Sequence, residues 1–483
     1  MNLLRSPLFW LLLVVFAGAA VLIVRRTTGS QSWGFLDLVK NPHLWNEMSD
    51  GQEEVEKEIR AAQTWNTGKV TRAVRHFIFD VETGSDAWGE RKVLDSLKLK
   101  VHPALLEILQ DSSVRSKLTV PTGTYLAPEA PLNRLCDLLG ENPPAAAGEL
   151  LIPFLENSSP EIRKDVALSL GSIGTPLMVP HVRKALLDGN EYVRSHALMG
   201  LERAVRGSRL DDRCKRDLLD DVQRLVAEGK NADHAVGLFL ELDPKRASAF
   251  YLSPTIFTPS SKSLHEALKA LAERKIPVPR DRVLALIKEL EGSPLEYPQS
   301  YAVREALRLL GQNRQTEDRE FLEARTKHDV KEVAIGAAIG LLALHGLEDF
   351  QQKLEEKEGA AGFSALSVPQ QYFSAVLLLD GEVNNGGHSQ YFINSSGDEW
   401  QKALAGLEAM GFTGRLAIFR EAIGKFGGTG PSTVRANRQD QLAKLARKDD
   451  TLFDALDERY YQSTEVIEAI TARYVITHAE AFK

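Results

Sequence analysis

The residues best suited to catalysis in this sequence do not complete the local motifs that would place them at a reaction centre. His265 and Glu266 begin like a zinc-binding HExxH helix, but Lys269 occupies the position of the second histidine, so the spacing excludes that metal site. His388 stands in a Gly-His-Ser-Gln-Tyr string that lacks the final glycine of a nucleophile elbow. Residues 424–426, Gly-Lys-Phe, lack the upstream glycine and the hydroxyl residue of a phosphate-binding loop. We therefore predict a protein that is not an enzyme and that holds no metal or cofactor.

One polar cluster has residue types that suggest a defined role. It lies in the string GEVNNGGHSQYFINSSG at 381–397. Its candidate binding residues are Glu382, Asn384, Asn385, Gly386, Gly387, His388, Gln390 and Tyr391. The Asn-Asn-Gly-Gly run can supply positive-φ residues for a tight reversal between two helices, and amide side chains can satisfy the backbone groups of such a turn. The structural interpretation is a hydrogen-bonded turn. The functional alternative is a pocket in which Asn385, His388 and Gln390 bind a peptide or a ligand.

The composition excludes several classes of protein. The chain has 483 residues, which corresponds to about three domains of roughly 150 residues each. Its formal net charge of −7 is too small to suggest a surface that coats nucleic acid, so direct nucleic-acid binding is not expected. The two cysteines, Cys136 and Cys214, are far apart in sequence and exclude a disulfide framework and a CxxC site.

The amino terminus contains a long uncharged apolar segment. Residues 6–24 carry no charge and would span about 28 Å as a helix, close to the thickness of about 30 Å of a hydrocarbon core. We therefore expect a transmembrane anchor over residues 1–30 and a single-pass membrane protein. Arg25 and Arg26 on its carboxyl flank favour a cytoplasmic body. The alternative is a secretory signal peptide that is cleaved near Ala19, with export of the remainder.

The elements that must position the remaining residues are helices. Residues 31–148 contain amphipathic helical stretches and a Pro-rich linker. Apolar and polar residues do not alternate there, as they would in a half-buried strand, over any useful length. We predict an all-α fold, in which the N-terminal transmembrane helix precedes an α-solenoid and a separate helical C-terminal domain.

The solenoid is predicted from an internal repeat. Residues 150–174 and 181–205 each contain an apolar helix, a polar turn and a second helix with apolar residues at i, i+4 and i+8. A single pair of this kind buries its apolar stripe only by stacking on a neighbour. Looser copies occur at 302–312 and 333–346, so we place the array at residues 149–350.

The second helix of each clear copy carries an apolar residue, an arginine, a small residue and a leucine. Arg163 and Arg194 occupy the same place in the two copies, at an offset of 31 residues. This pattern resembles HEAT repeats over about residues 149–346, and the resemblance implies an extended surface for protein partners. We interpret both arginines as structural residues that pair adjacent repeats.

The repeat period is absent beyond a charged linker at residues 351–367. The string at 381–397, the string LFDALDERYY at 452–461 and the terminal HAEAF at 478–482 together resemble the DNA-mimic protein family over residues 368–483. The resemblance implies a helical domain. The named precedent of that family imitates the phosphate charge of DNA and occupies a transcription regulator.

These observations lead to a prediction with two alternatives. We expect a membrane-anchored, non-enzymatic adaptor that binds a protein partner through its HEAT-like repeats and its C-terminal domain. The first alternative is a DNA-mimic-type regulator that sequesters a DNA-binding protein. The second is a HEAT-like lyase or another enzyme that acts on a bound protein.

Overall fold

The computed structural model describes residues 55–80, 85–121 and 130–483. These residues form α-helices, short 3-10 helices and turns, with no β-strand among them, which confirms an all-α fold for this part of the chain. The chain divides into two compact units, whose described parts are residues 55–302 and 303–483.

The described part of the first unit begins with helical residues 55–62 and continues as a series of short and medium helices. The labelled helices are α1 (Thr67–Phe79), α2 (Ser85–Ser96), α3 (His102–Gln110), α4 (Pro131–Leu139), α5 (Ala146–Leu151), α6 (Pro160–Ile173), α7 (Val179–Leu186), α8 (Glu191–Arg206), α9 (Asp212–Glu228), α10 (Ala232–Leu242), α11 (Pro244–Tyr251), α12 (Leu264–Glu273) and α13 (Arg280–Glu291). Helix α14 (Gln299–Gln312) contains the boundary between the units.

Helices α6 and α8 are the second helices of the two clear repeats, and they pack backbone against backbone. Helix α6 starts with Pro160 in its first turn and ends at Gly174, whose φ of 65° terminates the helix. The contact between the helices depends on Gly171 and Gly200. A Cβ atom on Gly171 would lie 2.9 Å from the carbonyl oxygen of Ala197, and one on Gly200 would overlap the carbonyl of Leu168. Glycine is therefore required at both positions for the helices to approach this closely.

Arg163 joins the first clear repeat to the second. Its Nη1 atom donates hydrogen bonds to the carbonyls of Asn157 and Ser158, at 2.8 and 3.1 Å. Its Nε and Nη2 atoms donate to the two carboxylate oxygens of Asp188, at 2.8 and 3.0 Å. Asp188 lies in the polar turn of the following repeat, so one guanidinium holds two successive turns together in a bidentate geometry.

Arg194 repeats this arrangement 31 residues later. Its Nη1 atom donates to the carbonyls of Asp188 and Gly189, at 2.8 and 3.2 Å. Its Nε atom donates to the Oδ1 atom of Asn231, which precedes α10, at 2.9 Å. The prediction that Arg163 and Arg194 pair adjacent repeats is therefore confirmed.

The second unit contains the end of α14 and ten further helices among the described residues. They are α15 (Arg319–Arg325), α16 (Lys331–Leu344), α17 (Phe350–Ala361), α18 (Val368–Ile393), α19 (Trp400–Met410), α20 (Gly414–Gly424), α21 (Arg435–Ala446), α22 (Asp454–Tyr461), α23 (Ile467–Thr477) and α24 (Ala479–Phe482). Its main core is rich in aromatic rings, including those of Phe392, Phe419 and Phe453.

The segment predicted as a linker, residues 351–367, is largely helical. It coincides with most of α17 and a short 3-10 helix, Phe363–Ala365. Phe350 and Leu354 are buried, and the Phe350 ring makes edge-to-face contacts with Phe373 and Phe482 at centroid distances of 5.1 and 5.6 Å. This helix therefore packs onto the C-terminal helices as part of their unit.

The predicted fold class needs one correction, which concerns the N-terminal transmembrane helix. Residues 6–24 lie outside the described residues, as does the alternative cleavage site near Ala19. Within residues 55–80, 85–121 and 130–483, no helix combines the length and the apolar character needed to cross a bilayer. The fold class is corrected to all-α without a membrane-spanning helix in this part of the chain. The single-pass membrane localisation depended on that helix and is withdrawn with it.

Candidate functional site

Helix α18 carries all eight predicted binding residues and is interrupted among them. Gly386 and Gly387 have non-helical backbone angles, with φ of −158° and 75°. The positive φ of Gly387 lies in the region that glycine adopts without strain. The predicted Asn-Asn-Gly-Gly run therefore does separate two helical segments, and they meet at a kink at Gly386 and Gly387.

The kink brings Glu382 against residues from the far side of the break. The buried Glu382 carboxylate accepts hydrogen bonds from Gln390 Nε2 at 2.7 Å, Asn394 Nδ2 at 2.9 Å and Ser396 Oγ at 2.8 Å. In a straight helix the 12-residue separation of Glu382 and Asn394 would span about 18 Å, too far for their contact. Glu382 therefore ties the two halves of the kinked helix together, and every acceptor bond goes to a neutral donor.

His388 lies in a different environment, next to α22. Its ring is fully buried, and Asp457 Oδ1 accepts hydrogen bonds from its backbone nitrogen at 2.9 Å and from Nδ1 at 2.5 Å. The ring packs among Phe419, Phe453 and Tyr460, with centroid distances of 5.6 to 6.4 Å. A Cβ atom at Gly387 would overlap the Asp457 carboxylate, so the glycine also permits this contact.

The remaining predicted residues do not join either group. Tyr391 is fully buried in the aromatic core, and burial raises the pKa of its hydroxyl well above the ordinary value. Asn384 is exposed and donates to the backbone carbonyl of Asp380 at 2.8 Å. Asn385 is half-buried. The structure therefore brings Glu382 and Gln390 together and places His388, Tyr391, Asn384 and Asn385 in separate surroundings.

Arg438 of α21 is an important residue that sequence reasoning missed. Its side chain is fully buried, and it donates from Nε to the Phe392 carbonyl at 2.7 Å and from Nη1 to the Ser432 carbonyl at 2.8 Å. Its Nη2 atom donates to the Asn394 carbonyl at 2.8 Å and to Asp398 at 2.6 Å. One guanidinium thus satisfies the carbonyls at the end of α18. Its sequence signal is the buried stripe Arg438, Leu442 and Ala446, at i, i+4 and i+8.

Arg415 forms a second buried cationic centre that was not predicted. Its Nη1 atom donates to the carbonyl of Glu465 at 2.6 Å, and its Nε atom lies 3.3 Å from Asp380. Asp380 also accepts from the hydroxyl of Tyr460 at 3.0 Å, and burial raises the pKa of that hydroxyl. Asp380 is 35 residues from Arg415 and 80 from Tyr460, so no local motif could have indicated this group.

Glu465 completes this centre by capping α20. Its Oε1 atom accepts from the backbone nitrogens of Thr413 and Gly414 at 2.7 and 3.0 Å, and its Oε2 atom accepts from that of Arg415 at 3.0 Å. Burial is the largest single effect and raises the pKa of Glu465, but the hydrogen bonds together outweigh it and leave that pKa lowered. The polar groups of this unit therefore hold helices together. Within the described residues, no three His, Cys, Asp or Glu side chains are arranged to hold a metal ion.

The repeats of the first unit present an open surface where α7 meets α8. Leu187 and Tyr192 are more than half exposed on either side of the turn between these helices. Leu187 also lines a groove of about 380 Å³, together with Leu155, Lys184, Ala185, Asp188 and Gly189. Exposed large apolar side chains beside a groove are typical of protein-binding surfaces.

Two families match parts of the chain. The family described as HEAT repeats matches residues 131–202, and the family described as DMP19-like protein matches residues 364–478. Both resemblances inferred from the sequence are confirmed over these residues, while the extension of the HEAT-like array from residue 203 to residue 346 stays a prediction. Together they indicate a helical protein-interaction scaffold.

No curated protein matches the chain. Among solved structures, a crystal structure of an engineered protein is 15% identical, covers 84% of this chain and 99% of its own, and has a TM-score of 0.25. A similarity this low carries no conclusion about the fold.

Proposed function

We propose that this protein is a non-enzymatic scaffold that binds a protein partner through its HEAT-like repeats and uses its helical C-terminal domain as a second binding module. The observation that carries the proposal is the open surface at Leu187 and Tyr192, on repeats that Arg163 and Arg194 hold in register. Rigid repeats with exposed aromatic and aliphatic side chains fit the way solenoids bind partners.

The test is co-purification of the full chain with its partner from the cells that produce it. Leu187→Arg combined with Tyr192→Ala is expected to weaken the interaction at least tenfold, because tyrosine is enriched among interface hot spots and the partner would cover the new arginine without a counter-charge. Leu99→Arg is the matched control, since Leu99 is 66% exposed in the same unit and lies outside the groove. Equal recovery of the partner with the double variant and with the control would contradict the proposal.

A DNA-mimic-type regulator is the second candidate, and the DMP19-like match favours it. Such mimicry requires negative charge arrayed like phosphates. Residues 368–483 contain 15 acidic and 12 basic residues, and the exposed Asp449 and Asp450 directly follow the exposed Arg447 and Lys448. Because basic and acidic residues alternate on this surface, no continuous negative charge is formed there, which favours the scaffold over the DNA mimic. The regulator predicts a DNA-binding partner that duplex DNA displaces, and retention of the partner at saturating DNA would exclude it.

An enzyme that acts on a bound protein, such as a HEAT-like lyase, is the third candidate. It requires a deep pocket in which titratable groups converge. In the second unit, the buried His388 and Arg438 instead bond to Asp457 and Asp398, and the buried Arg415 donates to the backbone carbonyl of Glu465. We therefore propose binding without turnover.

A further inference from the structure

A second groove in the first unit has a distinct chemical character. Three segments meet there: the loop between α11 and α12, the end of α13, and the loop that leads into α14. The groove has a volume of about 430 Å³, and its lining includes Pro259, Glu289, Leu290, Pro294, Glu296 and Tyr297. We propose that this acidic–aromatic groove binds a lysine- or arginine-bearing segment of the partner protein. This inference rests on the proposed scaffold function and names the chemistry of one contact.

The two carboxylates of the groove have no cationic partner within the described residues. Glu289 and Glu296 are exposed and make no ion pair with any residue that the structure describes. Elsewhere in this unit Asp220 pairs with Arg246 at 2.6 Å, and Glu241 pairs with Arg274 at 2.8 Å. Two uncompensated carboxylates on one groove attract a cationic segment and repel an anionic one.

An aromatic ring stands beside these carboxylates. Tyr297 is 73% exposed, the largest exposed fraction among the large apolar side chains that lie on the surface of the described residues. Its ring is supported from behind by an edge-to-face contact with Tyr301 at 5.5 Å, and Tyr301 in turn contacts His265 at 5.4 Å. A supported ring with a free face attracts ammonium and guanidinium groups by cation–π interaction.

The apolar part of the lining fits the stem of such a side chain. Leu290 is almost fully buried, and Pro259 and Pro294 come from different segments. Lysine and arginine cover apolar surface with their methylene stems and keep their charged ends against polar groups. An uncharged apolar segment would bury the two carboxylates without a partner, which is unfavourable. A cationic segment is therefore the occupant that the groove fits.

The test is a fluorescence anisotropy titration of the full chain with a fluorescein-labelled Gly-Arg-Lys-Arg-Gly peptide. We expect binding that weakens between 50 and 300 mM salt, as charge attraction requires. Glu289→Gln with Glu296→Gln is expected to weaken it about fivefold to tenfold, and Tyr297→Ala about threefold. The control variant, Glu58→Gln with Glu273→Gln, changes the net charge equally through exposed carboxylates outside the groove.

Two results would overturn the inference. One is equal weakening by the groove variant and the control variant, because general charge attraction would then explain binding. The other is equal affinity for a Gly-Glu-Asp-Glu-Gly peptide. If either result is obtained while the partner still co-purifies in full, cation binding by the groove is refuted and the proposed scaffold function is unaffected. If no partner co-purifies with the full chain but the peptide still binds, the scaffold function is refuted and the affinity of the groove for cationic segments stands.

Discussion

Arg438 and its four acceptors are a clear case of a buried charge that is fully compensated. The guanidinium joins α21 to the end of α18 and to Asp398, and a Cβ atom at Gly397 would lie 2.8 Å from its Nε atom. Burial of a cation is favourable only when its donors are satisfied, and removal of the cation leaves its acceptors without partners.

We predict that Arg438→Ala lowers the stability of the second unit by about 3–5 kcal/mol, because the truncation leaves a cavity in the core and three backbone carbonyls without their donor. The measurement is hydrogen exchange of backbone amides in α18 and α21, which are expected to lose protection. Arg420→Ala is the control, because Arg420 is exposed and pairs with the exposed Glu408. Its effect is expected to stay below about 1 kcal/mol. Equal loss of protection in both variants would contradict the assigned role.

Two carboxylates of the repeats have pKa values shifted in opposite directions. Burial raises the pKa of Asp165 to about 6, against the hydrogen bond from Asn133 at 2.6 Å. The hydrogen bonds from Arg163 lower the pKa of Asp188. Both carboxylates have a pKa of about 3.9 in the unfolded chain. The native state therefore holds the proton of Asp165 more tightly than the unfolded state does, and that of Asp188 less tightly.

The sign of the pH dependence follows for each variant. Asp165→Asn is expected to raise the free energy of unfolding by an amount that is near zero at pH 4, grows as the pH rises to about 6 and is constant above it. Asp188→Asn is expected to lower that free energy at pH 7, and the loss shrinks as the pH falls below about 4. Urea denaturation at pH 4 and pH 7 checks Asp165→Asn, and denaturation at pH 2.5 and pH 7 checks Asp188→Asn. Equal effects at the two pH values would contradict the assigned shifts.

At the scale of the elements, the same close approach recurs in two pairs of helices. Gly171 and Gly200 join α6 to α8, and a Cβ atom on Gly311 of α14 would overlap the carbonyl of Gly340 in α16. Each pair of glycines is separated by 29 residues. Backbone contact between repeated helices is therefore part of how these helices stack.

We predict that Gly200→Ala lowers the stability of the first unit by about 2–3 kcal/mol or more, because the added methyl group forces α6 and α8 apart. Gly237→Ala in α10 is the matched control, since nothing lies within 4 Å of a Cβ atom at that position. Alanine is a better helix former than glycine, so this control is expected to raise stability by up to about 1 kcal/mol. The measurement is urea denaturation of both variants. If Gly237→Ala destabilises the unit, or if Gly200→Ala does not, the close packing of α6 on α8 would be contradicted.

Local patterns predicted the elements and their repetition well. The 31-residue offset located both arginines that bridge repeats, because each guanidinium bonds to a turn at a fixed distance along the chain. The Asn-Asn-Gly-Gly run located the break in α18, because glycine alone adopts the φ of Gly387 freely.

Contacts between distant residues could not be predicted. His388 meets Asp457 across 69 residues, and Arg438 meets Phe392 across 46, so neither pairing leaves a pattern in a single sequence. The residues predicted to form one pocket therefore make separate contacts in the structure. Residues 351–367 were expected to be a linker from their glycine and alanine content, but Phe350 and Leu354 anchor most of this segment as a helix.

At the scale of the whole molecule, the described residues form two helical units. HEAT repeats and a DMP19-like domain occur in one chain, and the described residues carry two grooves in the first unit. The second unit places its buried arginines, Arg415 and Arg438, in contacts between helices. These features agree with a scaffold, whose function depends on the surfaces of rigid repeats.

The most direct measurement is the mass of the complex that the full chain forms with the partner identified by co-purification. Size-exclusion chromatography with light scattering gives that mass for the mixture of the two purified proteins. We predict a complex of defined stoichiometry, heavier than the 53.5 kDa chain, that Leu187→Arg with Tyr192→Ala disrupts and Leu99→Arg preserves. A chain that elutes apart from the partner, or a complex that survives the double variant unchanged, would contradict it.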